Sequence, residues 1–473
     1  MHMHTHMHMH MHMHMHMHMQ RALPAGTPGA SRRSGEAVIV RRKSRYRRSN
    51  DINPIAGDNN VVNINPTRLM ADLKHLRSFG ATGPGVVRLS LSPVDLAARE
   101  WLVGRMTEAG LDARIDGVGT VFGRSRNSGP ALLIGSHTDT QPTGGWLDGA
   151  LGVMYGLEIA RALAENDATR HLAVDVASWI DEEGTFSGLL GSRSFVGEAV
   201  DEAIRGATNR QGERLEDVLA AAGLAGRPRA HFEAGRHVAY FEPHIEQGGR
   251  LEAIGKSIGV VTTIVGMHEL RLRFTGQRNH AGTTPMAIRR DAGAALVAFI
   301  ARMNEAFEQL ADADTVWTVG RIDLDPGSMS VVPGAADMYL QFRDANPARL
   351  QAMEKRLAEL VRDFNAHHAV SVELQTLDEP IEPVSMDAAL AGHLARAAEA
   401  LASQQWLRMP SGAAHDAQVI ARRMPACMMF VPSIGGVSHD FIEDTAEEHI
   451  VLGCQVAATA AASMLLEAAA QRV

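Results

Sequence analysis

The stretch "LLIGSHTDTQPTGGWLDGALG", Leu132 to Gly152, stops an apolar run at a His and sets two Asp around a glycine-rich turn. His137, Asp139 and Asp148 are its chemistry-bearing residues. Three further groups stand in the same way after short apolar runs or turns. Glu182 and Glu183 follow "VDVASWI", His244 lies in "FEPHIEQGG", and His439 lies in "GVSHDF". Each alone is ordinary, because a loop His is seldom a ligand and an acidic turn is mostly solvated. Together, two His, a carboxylate able to bridge, a third His and a further Glu make an N/O donor set suited to Zn²⁺ or Mn²⁺. Co²⁺ and Ni²⁺ suit the same donors. Asp139, two residues after His137, is placed to orient that imidazole. The adjacent Glu182 and Glu183 point in different directions, so one can bind metal while the other faces a reacting water as general base.

The elements that must position these residues read as α/β. "NPTRLMADLKHLRSFG" and "SPVDLAAREWLVGRMTEAGL" have apolar residues at helical spacing, with Asn65 and Ser92 as caps. "ALLIGS" and "HLAVDVASWI" are buried-type strands, and "ALGVMYGLEIARALAEN" between them is a helix. This alternation predicts a mostly parallel, twisted sheet flanked by helices. In such a sheet, ligands bind outside the carboxyl ends of the strands, where His137 and the Glu182–Glu183 pair fall.

From about Ser257 the pattern changes. "IGVVTTIVGMHELRLRFTG" and "ADMYLQFRD" alternate as half-buried strands, with two amphipathic helices and the strand "AVSVELQTL" completing a small α+β unit. The expected organisation is a low-complexity, disordered leader over 1–55, a catalytic domain over 56–256 and 373–473, and an inserted α+β lid over 257–372. Hinges are expected near 255–258 and 370–380.

Bulk properties narrow the function. The chain has 473 residues, 45% hydrophobic and 21% charged, with a formal net charge of −8. The first 50 residues carry nine Lys/Arg and one Glu, so the remainder holds a surplus of sixteen negative charges. An acidic body of this kind excludes a nucleic-acid surface. Two cysteines, Cys427 and Cys454, exclude a disulfide framework and fit a reducing, cytoplasmic setting. No run of about 18 apolar residues occurs, so no membrane span is expected. Residues 1–19 alternate His and Met with one interruption at Thr5 and are kept out of the fold argument.

The motifs "GSHTDT…GWLDGALGV", "DEEGTFSGLLGSRSFVG", "HIEQGGRLE", "NHAGTTPM", "PSGAAHDAQ" and "FVPSIGGVSHDFIEDT" resemble the hydantoinase/carbamoylase amidases. That family contains N-carbamoyl-L-amino-acid hydrolases, β-ureidopropionases and allantoate amidohydrolases, among the carboxypeptidase-like dinuclear zinc hydrolases. The resemblance covers residues 60–470. It implies one metal held by His137 and His244, a second by Glu183 and His439, and Asp148 as the bridge. It implies Glu182 as acid/base, and His280 of "RNHAGTTPM" as a transition-state His supplied across a homodimer formed by the inserted domain. Gln247 and His415 match substrate-side positions, and Arg343 matches the Arg that clamps a substrate carboxylate.

One departure stands out. Where the family places an Asn thirteen residues before that Arg, this chain has Ser330, exchanging an amide for a shorter hydroxyl. Three readings stay open: a carbamoylase or ureido-acid amidohydrolase, an amidase or aminoacylase for another acyl group, and a ligand-binding protein without catalysis. Ammonia release from N-carbamoyl amino acids or allantoate separates the first from the second.

Overall fold

The computed structural model describes residues 62–471, so the expected leader over 1–55 lies outside the described residues. A nine-stranded sheet runs through the larger unit. Its centre is parallel, with Ala426–Val431, His237–Ile245, Ala131–His137 and Ala173–Trp179 side by side in that order. Antiparallel strands close both margins: Val121–Ser125 and Leu111–Ile115 on one side, Ile258–Ile264 on the other. Trp406–Ser411 adds to Ile258–Ile264 in parallel.

All seven residues of Ala131–His137 and all seven of Ala173–Trp179 are buried, which is why they read as continuous apolar runs rather than as alternation. Helices Pro66–Ser78, Ala150–Glu165, Ala388–Leu401 and Glu447–Ala470 cover one face with a continuous apolar core. Short helices, among them Leu190–Phe195 and Asp416–Ile420, cover the other, packing around Trp179, Phe195, Tyr240 and Phe430. Asn65 and Ser92 cap their helices as expected, accepting from the amides of Arg68 and Asp95. Glu447–Ala470 is long and apolar enough to cross a membrane by composition alone. Its apolar surface is instead spent against the neighbouring helices and the sheet.

A separate four-stranded antiparallel sheet has the order Val316–Asp325, Ala335–Asp344, Gly266–Thr275, Ser371–Thr376. Its strands alternate buried and solvated residues, and helices Ala292–Glu308 and Pro347–His367 cover the buried face. Phe274, Phe299, Phe307, Phe342 and Phe364 fill the space between. The chain enters this sheet at Gly266 rather than at 257, and leaves after Thr376 rather than at 372. Ile258–Ile264 belongs to the large sheet because it is buried on both faces along most of its length, whereas Ser371–Thr376 pairs with Gly266–Thr275. The crossings therefore fall at Val265, beyond the 255–258 expected for the first hinge, and between Thr376 and Val384, which overlaps the 370–380 expected for the second.

Candidate metal centre

The carboxyl ends of the four central strands form one rim, with His137 opposite Trp179 and Ile245 opposite Val431. His137 ends its strand, His244 is the penultimate residue of its own, and the Glu182–Glu183 pair comes three residues beyond Trp179. Asp148 stands two residues before the helix Ala150–Glu165, across the glycine-rich turn from His137. His439 arrives on the loop after Val431.

The rim brings together all five residues expected to hold metal. His137, Asp148 and His244 form one group of mutually close donors, and Asp148, Glu183 and His439 form another. Nε2 of His244 lies 3.3 Å and Nε2 of His137 3.8 Å from Asp148 Oδ1, while Nε2 of His439 lies 3.6 Å from Oδ2. Asp148 thus turns one oxygen toward each group. Donors at about 2.0–2.1 Å from a tetrahedral Zn²⁺ are themselves roughly 3.3–3.4 Å apart, so these spacings approach the edges of such a polyhedron.

The protonation chemistry agrees. His137 Nδ1 donates to the Asp139 carbonyl at 3.0 Å and His244 Nδ1 to the Ile245 carbonyl at 2.9 Å, which leaves both Nε2 atoms unprotonated beside Asp148, that of His244 accepting from the Gly149 amide at 3.1 Å. Burial pushes both imidazoles down to about 3, so each is neutral and able to ligate. Burial, with mutual repulsion added, raises Asp148 and Glu182 well above the usual carboxylate range and Glu183 to about 7. Glu183 Oε1 is buried without a hydrogen-bond partner. Crowded carboxylates, neutral imidazoles and an orphaned oxygen fit a pair of divalent cations.

Local geometry explains why these side chains stay in place. Gly149 has φ +63°, and a Cβ there would lie 2.4 Å from His137 Nε2, so only glycine lets the turn pass under that ring. Asp139 supports His137 through its main-chain carbonyl. Its carboxylate accepts from Ser90 Oγ at 2.8 Å and from the Glu183 amide at 3.2 Å. Asp181, at φ +57°, accepts from the Phe186 and Ser187 amides and so shapes the turn that carries the glutamates.

Two supports escaped the sequence reading. Gln141 Nε2 donates to Glu183 Oε2 at 2.7 Å, and Glu443 Oε2 accepts from the His439 amide at 3.1 Å. Gln141 lies inside the opening stretch, and Glu443 lies four residues past His439, so spacing alone could have drawn attention to both.

The remaining expected residues divide. Glu182 Oε2 is 3.6 Å from His137 Nε2, on the donor cluster. Gln247 Nε2 lies 3.2 Å from both Asp148 oxygens. Arg343 is half-buried in a cavity of about 430 Å³ that it shares with Gln247, Phe430 and His439. Its Nε donates to Gln341 and its Nη1 to the Gly412 carbonyl, and burial lowers its pKa despite the nearby Glu269. Among the described residues it has no ion pair.

His415, expected at the substrate, is buried. Its Nε2 lies 2.9 Å from Ser411 Oγ and its ring packs edge-on against His244 at 4.6 Å, so it backs a donor rather than lining the cavity. His280 and Ser330 lie together on the small unit, where Ala281 N–H donates to the Ser330 carbonyl, and both are exposed. Among the described residues, no hydrogen bond or ion pair joins either one to the donor cluster.

Residues 133–463 match the family described as Peptidase family M20/M25/M40. The chain is 34% identical to the N-carbamoyl-L-amino-acid amidohydrolase of Paenarthrobacter aurescens, over 79% of this chain and 91% of that protein. It is 34% identical to the allantoate amidohydrolase of Escherichia coli (strain K12), over 79% of this chain and 92% of that protein. Among solved structures, it is similar to an amidase (hydantoinase/carbamoylase family) from Burkholderia phymatum. That likeness has a TM-score of 0.83 and 71% identity, covering 86% of this chain and 98% of the other.

Proposed function

This chain belongs to peptidase family M20/M25/M40, is an amidohydrolase acting on C–N bonds, and from that premise we propose that its substrate is an N-carbamoyl-L-amino acid or a related ureido acid such as allantoate. The observation that carries the reading is Arg343. A half-buried guanidinium without a carboxylate partner, in a cavity that also contains His439, suits a substrate carboxylate beside the donor cluster. His137 and His244 would hold one divalent cation, Glu183 and His439 a second, with Asp148 between them. When bound, the cations supply an acidified water and Lewis-acid polarisation of the scissile carbonyl.

Glu182 takes the proton of the attacking water and returns it to the leaving nitrogen. Its carboxyl is buried and raised, so it holds that proton readily between the two steps. Arg343 fixes the carboxylate, and Gln247 offers its amide to the group next to the scissile bond. His280 accepts from the Gly282 and Thr283 amides at Nδ1, which leaves Nε2 carrying the proton and able to donate to a developing oxyanion.

We assign that His280 to a second copy of the chain. The strand Val316–Asp325 is an open edge of the small sheet, and exposed Met286, Ile288, Val297, Ile322 and Leu324 lie on the same unit. Sedimentation tests the dimer, and a monomer at micromolar concentration removes this assignment. The two buried, unpaired cysteines agree with a cytoplasmic setting.

The test of the whole reading is ammonia release from N-carbamoyl amino acids and allantoate with defined metals, together with the Glu182→Gln variant. Turnover of the variant is expected to fall by at least about 10²-fold. A variant within a few-fold of wild type removes Glu182 from the mechanism. Release of amine from other N-acyl amino acids without ammonia from any ureido acid overturns the substrate.

A further inference from the structure

Arg343 stands on the strand Ala335–Asp344, on the face that the two helices leave uncovered, and Gln341 precedes it by two residues on the same face. Glu269, on the neighbouring strand Gly266–Thr275, is directly opposite Gln341. The residues opposite Arg343 are Met267 on that strand and Val316 on the other, and neither carries charge. The acid that acts on Arg343 is therefore the diagonal one, Glu269.

These three side chains form a row. Gln341 Nε2 donates to Glu269 Oε1, and Gln341 Oε1 accepts from Arg343 Nε at 2.7 Å. The two bonds fix the amide, since its NH₂ end must meet the carboxylate and its oxygen the guanidinium. With Nη1 also donating to the Gly412 carbonyl at 2.8 Å, the guanidinium is held at two points. Three of its five N–H groups have no partner among the described residues.

We propose that Gln341 is a positioning residue for the reaction, a neutral spacer that fixes the Arg343 fork while keeping its charge apart from Glu269, and so sets the preference for a substrate bearing a carboxylate. The inference rests on the reading of Arg343 as the clamp of that carboxylate. An amide at 341 does two things that neither Glu nor Leu could do together. It accepts from Nε as a carboxylate would, yet adds no negative charge beside the guanidinium. Glu at this position would pair with Arg343 in advance of the substrate, and Leu would leave Nε without its acceptor and free Arg343 to turn toward Glu269. The substrate carboxylate thus meets a cation that is oriented but not yet neutralised.

The full chain loaded with Mn²⁺ or Zn²⁺ is given one amino acid as its N-carbamoyl and N-acetyl forms, each as the free acid and as the C-terminal primary amide. Wild type is expected to prefer acid over amide by about 10²-fold in kcat/KM, the size of a bidentate charge-assisted contact. Gln341→Glu should cut that preference by about tenfold, and Glu269→Gln, which leaves the amide beside Arg343, should keep it. The exchange Glu269→Gln with Gln341→Glu preserves net charge and the row of hydrogen bonds and moves only the charge, so it should show the same loss as Gln341→Glu. A purely structural role would lower acid and amide turnover alike and leave their ratio unchanged. Calorimetry of the N-carbamoyl acid on a Glu182→Gln background reads affinity without turnover, with binding about tenfold weaker when Gln341→Glu is added. Full acid preference in Gln341→Glu, its recovery in the exchanged pair, or unchanged affinity overturns the spacer alone. Unchanged acid preference in Arg343→Gln overturns the clamp and the spacer with it. Amine from the N-acetyl acid without ammonia from the N-carbamoyl acid overturns only the ureido substrate.

Discussion

The rim of the large sheet and the loop of the small sheet treat their functional residues in opposite ways. On the rim, His137, Asp148, Glu182, Glu183 and His244 lie in or against the protein interior, each held by carbonyls, amides or neighbouring rings of the same unit. On the small unit, His280 and Ser330 are exposed, and among the described residues no hydrogen bond or ion pair joins them to the rim. The first half of the chemistry is assembled by folding alone. His280 and Ser330 are not part of that assembly, and the proposed second copy of the chain is what would bring them to it.

The largest expected contrast concerns stability. Asp175 lies buried between Arg236, which grips it at 2.6 and 2.7 Å, and His237. Asp175→Asn should cost about 3–5 kcal/mol in urea unfolding, because it leaves a buried guanidinium unpaired. Burial alone would raise the Asp175 pKa, but the bonds from Arg236, His237 and Ser125 outweigh it and hold the group below its usual value. Its contribution is therefore complete above about pH 4 and fades as pH falls through the lowered folded value. A stability profile flat between pH 5 and pH 2 would contradict this.

Next in size is His280→Asn, expected to lower kcat by about 10²–10³-fold, the cost of one oxyanion donor, with an unchanged melting temperature. Mixing that variant with Glu182→Gln should restore part of the activity, since one mixed dimer keeps a complete site. Absence of any recovery would place His280 and Glu182 in the same subunit. Smaller again is Glu443→Gln. Its carboxylate holds the amide of His439, so the variant should bind the more weakly held cation about 10–100-fold less tightly in a metal titration. Equal affinity would make Glu443 a bystander. The smallest effect is expected from Asp325→Asn on the small unit, whose pairing with Arg278 is exposed on both sides. Less than about 1 kcal/mol should be lost.

The same contrast decides what the sequence could reveal. The donor residues of the rim were legible because each follows a strand or turn, and strand ends of a parallel sheet converge. Ser330 and His280 are legible as a departure from a motif and a motif, but their nearness follows only from the pairing of residues 279–280 with 331–332. Gln141 and Glu443 lie near the motif residues in sequence, but their roles show only once the loops fold back, Gln141 onto Glu183 and Glu443 onto the His439 amide. The strand Ile258–Ile264 was given to the wrong unit because β-branched residues suit a half-buried strand and a fully buried one equally well. His415 was read as facing substrate, yet its ring is used to back His244.

Gly149, Asp148 and both inner imidazoles lie beneath the surface, whereas the side chain of His439 remains 52% exposed and its backbone sits at φ +55° on a loop. The two cations would therefore exchange with solvent at unequal speeds. Dialysis against a chelator should remove the ion on the His439 side first and leave a species with one ion, held by His137 and His244. Occupancy of the outer position would then follow the supply of metal in the surroundings.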